Sequence, residues 1–252
     1  MTSTDLSTTT HPPIDLAELL EVASLQTRLD RKYLIPTAQL TALTQAHPDA
    51  RILTIDGATQ FGYASRYLDT PDLEAYHLAA HGRLRRYKVR WRTYLDSGER
   101  FLEVKTRSGR GLTIKDRLEF TDSDDLMTIS RFAPRTVHNR TGRLALDLSP
   151  ALDVDYRRST LLLPSGARVT VDHDLTWRAP HAANALHLTG HVVVETKTAG
   201  APCEVDTWLW RRGIRPVRLS KYACGLALTR GETLPANRWH RTLRTLTTWS
   251  SS

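Results

Sequence analysis

Between Leu84 and Leu118, the residues Lys88, Arg90, Arg92, Glu103, Lys105, Lys115 and Arg117 fall on every second position of three successive strand-like segments. Side chains alternate across a strand, so each segment's set shares one face. Two like charges ~4 Å apart repel by about 4 kcal/mol at an effective dielectric near 20, so such crowding needs neighbouring carboxylates or a bound anion. If the sheet closes on itself, these faces line a single lumen. A lumen rich in cations and sparse in carboxylates implies anion chemistry.

The second half repeats the pattern. Arg168, Thr170 and Asp172 share a face, as do Val193, Glu195 and Lys197, while Tyr156 and Arg158 share another. Glu103-Val104-Lys105 and Glu195-Thr196-Lys197 each set a carboxylate beside an ammonium on the same face, about 7 Å apart. That is close enough to hold a phosphate oxygen and its metal jointly, and the two strands read as matching walls of one lumen. For any one strand, the solvated face of an ordinary antiparallel sheet is an equal reading. The collection favours the lumen, because Arg90, Arg92, Lys105, Lys115, Arg158, Arg168, Lys197 and Lys221 all alternate along strands or stand at their ends. The intervening Val89, Trp91, Leu102, Val104, Leu112 and Ile114 point the other way and are expected to pack under helices.

The elements that position these residues read as follows. Residues 1–13 are polar and expected to be a disordered tail, and 14–252 a single domain. Asp15 caps a short helix over Ile14–Thr27, and a first strand runs through Asp30, Lys32 and Leu34 before Pro36 opens a helix. Tyr63–Leu68 is a strand, after which Thr70 and Pro71 start a helix ending at Gly82. A meander follows over Leu84–Tyr94, Arg100–Arg107 and Leu112–Phe120, broken by Asp96-Ser97-Gly98 and Ser108-Gly109-Arg110-Gly111. Asp122–Arg131 is helical, with Pro134 closing it. Leu152–Leu163, Ala167–Leu175 and His191–Lys197 are strands, whereas Asn184–Thr189 fits either ladder or loop. Trp208–Arg212 and the basic stretch Pro235–Trp249 are expected to be helical. The fold class is α+β, an antiparallel β-barrel flanked by helices.

The balance of 35 Lys+Arg against 27 Asp+Glu in 252 residues gives a net charge of +8, which favours a polyanionic partner: nucleic acid, phospholipid or polyphosphate. An exposed nucleic-acid module would suit the run Arg83, Arg85, Arg86 and Lys88. The alternation with Val89, Trp91, Leu102 and Val104, and the presence of Glu103 and Glu195, argue against it, so no nucleic acid is expected. Cys203 and Cys224 supply neither a disulfide framework nor a metal cage and read as buried thiols. The N-terminus lacks the apolar core of a signal peptide and no stretch matches a membrane span, so a cytoplasmic protein is expected. His77 and His81 are four apart on a helix without a visible third ligand, and in Asp172-His173-Asp174 only Asp172 faces inward. No phosphate-binding Walker loop or nucleophile elbow is present.

Taken in order, Arg31-Lys32-Tyr33, Ser65-Arg66-Tyr67-Leu68-Asp69-Thr70, Lys88-Val89-Arg90-Trp91-Arg92-Thr93-Tyr94 and Phe101-Leu102-Glu103-Val104-Lys105 resemble the VTC domain. So do Lys115-Asp116-Arg117, Tyr156-Arg157-Arg158, Arg168 to Asp172, Glu195-Thr196-Lys197 and Ser220-Lys221-Tyr222. This is the vacuolar transporter chaperone type of polyphosphate polymerase domain, within the triphosphate tunnel metalloenzyme superfamily. The resemblance implies an antiparallel tunnel that transfers the ATP γ-phosphoryl group to a growing polyphosphate chain, with Mn²⁺ or Mg²⁺. It makes Lys32, Arg90, Arg92, Lys105, Lys115, Arg158, Arg168 and Lys221 phosphate ligands, with Lys197 beside them, and Tyr156 a hydroxyl donor near the chain. Glu195 becomes the metal ligand, with Glu103 a second candidate that serves equally well as an ion-pair partner. The wider superfamily opens on Glu-x-Glu-x-Lys, whereas Arg28-Leu29-Asp30-Arg31-Lys32 has one acidic residue, which argues against a two-metal triphosphatase. The competing expectations are an inorganic triphosphatase or polyphosphatase on the same fold, and a non-catalytic binder of polyphosphate or nucleic acid. No membrane segment is read in the chain, and a separate membrane partner that takes up the product stays open.

Overall fold

A computed structural model describes residues 11–22, 29–110, 112–121 and 126–247. The N-terminal half carries β1 (Pro13–Ile14), α1 (Leu16–Val22), β2 (Leu29–Pro36), α2 (Leu40–Gln45), β3 (Arg51–Leu53), β4 (Phe61–Asp69) and α3 (Glu74–Ala80). The meander is β5 (Arg86–Tyr94), β6 (Arg100–Arg107) and β7 (Thr113–Glu119), followed by α4 (Leu126–Thr141). Then come β8 (Ser149–Leu162), β9 (Arg168–Arg178), β10 (Leu186–His187), β11 (His191–Thr198), α5 (Glu204–Arg211), α6 (Lys221–Arg230) and α7 (His240–Thr247). The main strand order is β2-β11-β9-β8-β4-β5-β6-β7, with β10 on β9, β3 on β8, and β1 parallel to β3. This is the expected α+β class of antiparallel strands flanked by helices, although the strand order runs from β2 to β7 without the ladder that would close the expected barrel among the described residues.

Contacts divide the chain into two compact units. The first comprises Met1–Phe61, Tyr156–Leu175 and Leu188–Arg218. In it β11 pairs with β2 through Glu195↔Lys32 and Lys197↔Asp30, and with β9 through Glu195↔Thr170 and Lys197↔Arg168. One face of this ladder carries Tyr33, Ile35, Val169, Val171, Val192 and Val194 into a core shared with Val205 and Leu209 of α5. The opposite face carries Asp30, Lys32, Arg168, Asp172, Glu195 and Lys197. The stretch 14–27 yields α1, capped by Asp15 through its Oδ1, which accepts from the Glu18 N–H at 2.8 Å; residues 23–28 lie outside those described. Of the expected tail, residues 1–10 also lie outside, while Pro13 enters β1.

The second unit comprises Gly62–Asp155, Thr176–His187 and Leu219–Ser252. Here β5, β6 and β7 form the meander, in register through Arg90↔Glu103 and Glu103↔Arg117. Val89, Leu102 and Val104 pack under α3 and α4 against Ala75, Leu78, Ala133 and Val137, as the alternation predicts. Trp91 and Leu112 depart from it, 38% and 61% exposed: Trp91 lies within β5 with its ring 6.5 Å from that of Phe120, and Leu112 lies in the connection just before β7. Pro134 does not close α4, which continues through it to Thr141. A proline removes one backbone bond from a helix interior, and burial of Ala133 and Val137, one turn apart, offsets that loss. Helix α3 starts later than the Thr70-Pro71 signal suggests, at Glu74, and Thr70 shares the capping with Asp69: Thr70 Oγ1 accepts the Glu74 N–H at 2.9 Å, and the Asp69 carboxylate accepts the N–H groups of Thr70, Ala75 and Tyr76 at 2.8, 2.9 and 3.0 Å.

Candidate phosphate-binding site

In the first unit Lys32 and Lys197 both reach Glu195 Oε1, at 2.9 and 3.1 Å. Burial alone would raise the Glu195 carboxyl, but Lys32, Lys197 and Arg158 hold it well below the usual range, so it is ionised. Lys32 is raised because the Glu195 carboxylate outweighs the burial that would lower it. Lys197, crowded by burial and by Arg158 and Lys32, is lowered to about 7. Arg158 grips the fully buried Asp172 with both arms, Nε to Oδ1 at 2.6 Å and NH2 to Oδ2 at 3.0 Å, and lies over the Tyr156 ring at 5.2 Å. Its fork is therefore aligned by Asp172, and Tyr156, 3% exposed, is a platform for it. Arg168 is half-buried and stands directly across from Lys197.

Why these side chains hold still is visible on the opposite face of the same strands. Asp206, at the start of α5, is completely buried and accepts from Tyr33 Oη at 2.6 Å, Thr196 Oγ1 at 2.7 Å, Arg31 NH1 at 3.2 Å and the Cys203 N–H at 2.9 Å. Period two then sends Lys32 and Glu195, neighbours of those anchored residues, to the other side.

The second unit is organised around Glu103, whose side chain is 3% exposed. Arg90 Nε donates to Oε2 at 2.6 Å, Arg92 Nε lies 3.8 Å from Oε2, and Lys115 pairs with Oε1. Burial alone would raise this carboxyl, but Arg90, Arg92 and Lys115 pull it to about 2. Tyr67 accepts from Arg90 NH1 at 3.1 Å, and Tyr63 lies under Arg92 at 5.3 Å. Lys105 is exposed, opposite both Lys88 and Lys115 in register, and Arg117 covers the Phe101 ring at 4.8 Å.

Lys221 stands at the first turn of α6, and four hydrogen bonds fix that turn. Ser220 caps it, its Oγ accepting from the Ala223 N–H at 3.1 Å and from Lys88 Nζ at 2.8 Å. Trp177 Nε1 donates to the Lys221 carbonyl at 2.9 Å, and Tyr222 Oη donates a short bond to Asp69 Oδ2. Gly225 is required here, since a Cβ on it would fall 2.1 Å from Trp177 Cδ1. Asp69 and Asp206 are the positioning residues that strand alternation did not single out, whereas it read Asp172 as facing inward without giving its partner; the Asp69-Thr70-Pro71-Asp72 turn chemistry is the nearest sequence signal for the first.

Among the described residues no group of three or more His, Cys, Asp and Glu is arranged to hold a metal. His77 and His81 stack on each other, 6.1 Å between ring centroids, and His81 Nδ1 lies 2.8 Å from the His77 carbonyl. A single ionised carboxylate with cations around it still fits Mg²⁺ or Mn²⁺, because such ions are commonly held by one or two carboxylates plus substrate phosphates. Glu195 and Glu103 are the residues with that character. Cys203 and Cys224 are free and buried, both pushed up by burial to about 11, as expected of inert thiols. No helix among the described residues is long and apolar enough to cross a membrane.

The Hippeastrum protein HpAC1, named as an adenylyl cyclase with a dominant triphosphatase activity, superposes with a TM-score of 0.50 at 14% identity, covering 84% of this chain and 99% of its own. A Vibrio parahaemolyticus protein named as an adenylate cyclase gives a TM-score of 0.44 at 10% identity, over 77% of this chain and 95% of that one. A Pyrococcus horikoshii protein gives 0.46 at 12% identity, over 81% and 99%. The first of these likenesses shows a shared fold. No curated protein sequence matches the chain. The VTC domain family matches residues 27–230, a span that contains every cation and carboxylate of the candidate site, and the chain belongs to that family.

Proposed function

We propose that this protein is a metal-dependent polyphosphate polymerase that transfers the ATP γ-phosphoryl group to a growing polyphosphate chain. The observation that carries the reading is the repeated arrangement of one buried, ionised carboxylate surrounded by cations: Glu103 with Arg90, Arg92 and Lys115, and Glu195 with Lys32 and Lys197. Such faces neutralise charge and position phosphates, which is most of what phosphoryl transfer requires of a protein.

Arg90, Arg92 and Arg168 take phosphate oxygens through planar forks, Arg158 presents the remaining edge of a fork oriented by Asp172, and Lys32, Lys105, Lys115, Lys197 and Lys221 act as point charges. Tyr156 is the hydroxyl donor near the chain. A terminal polyphosphate oxygen attacks the γ-phosphorus, the bond from that phosphorus to the β,γ-bridging oxygen breaks, and ADP leaves carrying the electron pair. The nucleophile is already ionised, so no general base is needed. Glu195, with Glu103 as the second candidate, would hold Mn²⁺ or Mg²⁺, which supplies neutralisation of the charge developing on the phosphate oxygens.

Incubation of the purified protein with ATP and Mn²⁺, followed by gel staining for long chains and assay of free phosphate, tests this. Long chains with ADP are expected. Free phosphate alone would make the protein a triphosphatase, and neither product would reduce it to a binder. We place the protein in the cytoplasm on the same reading, with no nucleic acid as partner.

A further inference from the structure

Exposed leucines and arginines gather where the meander meets the C-terminal end of α4, on residues that no step of phosphoryl transfer uses. A cleft of about 560 Å³ opens there, lined by Arg85, Arg110, Leu112, His138 and Arg140 among others. The register brings these segments together: Arg86 lies opposite Arg107, which lies opposite Thr113, and the Ser108 N–H donates to the Leu112 carbonyl at 2.8 Å. Arg143, just past α4, donates from Nε to the Arg85 carbonyl at 3.0 Å and from NH1 to Glu74 at 2.7 Å. Arg140 is matched by Asp116, NH2 to Oδ1 at 2.8 Å. Arg85 and Arg110 are exposed and have no carboxylate partner among the described residues. A Cβ on Gly109 would meet Arg85 Nε at 3.5 Å, so that guanidinium lies against the turn that carries Arg110. Leu84, Leu112 and Leu144 are each more than half exposed, and each stands within two residues of an arginine. Exposed leucines scattered singly need no explanation, but three beside one cationic cleft do.

We propose that Leu84, Leu112 and Leu144, with Arg83, Arg85 and Arg110, dock this protein on an anionic phospholipid surface. The inference goes beyond phosphoryl transfer and does not rest on it, because none of these six side chains belongs to the candidate phosphate site. Charge complementarity selects the occupant: the surplus guanidinium forks meet headgroup phosphates while the leucines enter the boundary between headgroups and acyl chains. A protein interface gathers its apolar side chains into one dry core, whereas here each leucine is set apart by an arginine. A second copy of this chain would bring the same surplus of arginines against itself. The attachment is peripheral, since no helix among the described residues is long and apolar enough to cross a membrane.

Sedimentation of the full-length protein with vesicles tests this, with phosphatidylcholine alone and with equal parts of phosphatidylcholine and phosphatidylglycerol, in EDTA and without ATP. The mixed vesicles are expected to carry the protein down and the neutral ones to leave it in solution, with affinity falling as salt rises. Arg85→Gln and Arg110→Gln should each weaken affinity for the mixed vesicles about fivefold. Leu112→Ser combined with Leu144→Ser, which keeps the net charge, should weaken it about tenfold, while the melting temperature and any turnover of ATP stay those of the parent. No sedimentation with mixed vesicles would overturn the docking surface. So would losses in the arginine variants with none in the leucine variant, which is the pattern of adsorption by net charge alone. Release of the protein from vesicles by saturating triphosphate would assign the binding to Arg90, Lys115 and their neighbours and overturn it as well. Polyglutamate bound as tightly as the mixed vesicles, with the same loss in the leucine variant, would make the patch a site for an acidic protein instead. A protein that makes no polymer from ATP yet gives the expected vesicle pattern loses the polymerase reading and keeps the docking surface.

Discussion

Replacing Glu103 by Gln keeps the size of the side chain and removes the one negative charge among Arg90, Arg92 and Lys115. The carboxyl sits at about 2, against an ordinary 4.5, in a side chain 3% exposed. That depression corresponds to roughly 3 kcal/mol of linkage. A depressed carboxylate contributes stability that is fully present above its unfolded pKa and is lost as pH falls through the folded value. The contribution is therefore complete at neutral pH and disappears between about pH 4.5 and 2. Glu103→Gln should then lower the melting temperature at pH 7 by about 6 to 12 °C for a protein of this size. Inorganic triphosphate should restore the missing charge, so the gap between variant and parent should narrow as triphosphate is added, measured by scanning calorimetry in EDTA. A gap that stays constant up to saturating triphosphate, or that is absent without it, refutes the view that an anion and Glu103 answer the same cations.

Arg92→Ala and Lys221→Ala should each abolish polymer formation from ATP while circular dichroism stays that of the parent; turnover retained in both variants would discredit the site. Gly225→Ala should push α6 away from Trp177 and lower both the melting temperature and triphosphate affinity, since the first turn of that helix carries Lys221; a variant that melts and binds like the parent would show that α6 does not set this lysine. Asp69→Ala leaves the N–H groups of Thr70, Ala75 and Tyr76 and the Tyr222 hydroxyl to find new partners and should cost about 3 to 5 kcal/mol by denaturant titration, against about 1 kcal/mol for Tyr222→Phe.

The meander was legible because period two and turn chemistry act locally: Arg100–Arg107 is β6 residue for residue, and the alternation correctly separated Glu103 and Arg90 from Val104 and Val89. Helix limits were less so, because they depend on partners distant in sequence. Pro134 looks like a terminator until the core beneath Ala133 and Val137 is known, and Thr70, which does accept the Glu74 N–H, looks like the whole cap until Asp69 is seen to reach Ala75 and Tyr76. The short β3 and β10 were missed or left open for the same reason: two or three residues carry no period, and only their ladders to β8 and β9 define them.

Charged residues followed the same division. A cation's face can be read from alternation, but its partner cannot. Lys115 meets Glu103 from the neighbouring strand, diagonal to the register that pairs it with Lys105. Arg158 spends its fork on Asp172, which alternation identified only as facing inward. In each unit a buried aspartate on or beside the helix-facing side, Asp206 or Asp69, gathers donors from several elements, and the strand or helix it anchors presents a lysine, Lys32 or Lys221. A buried carboxylate with that many donors is costly to displace. The anchoring thus keeps a flexible lysine's backbone fixed against the repulsion of its neighbours, which is the condition for a cationic face to persist before any phosphate arrives.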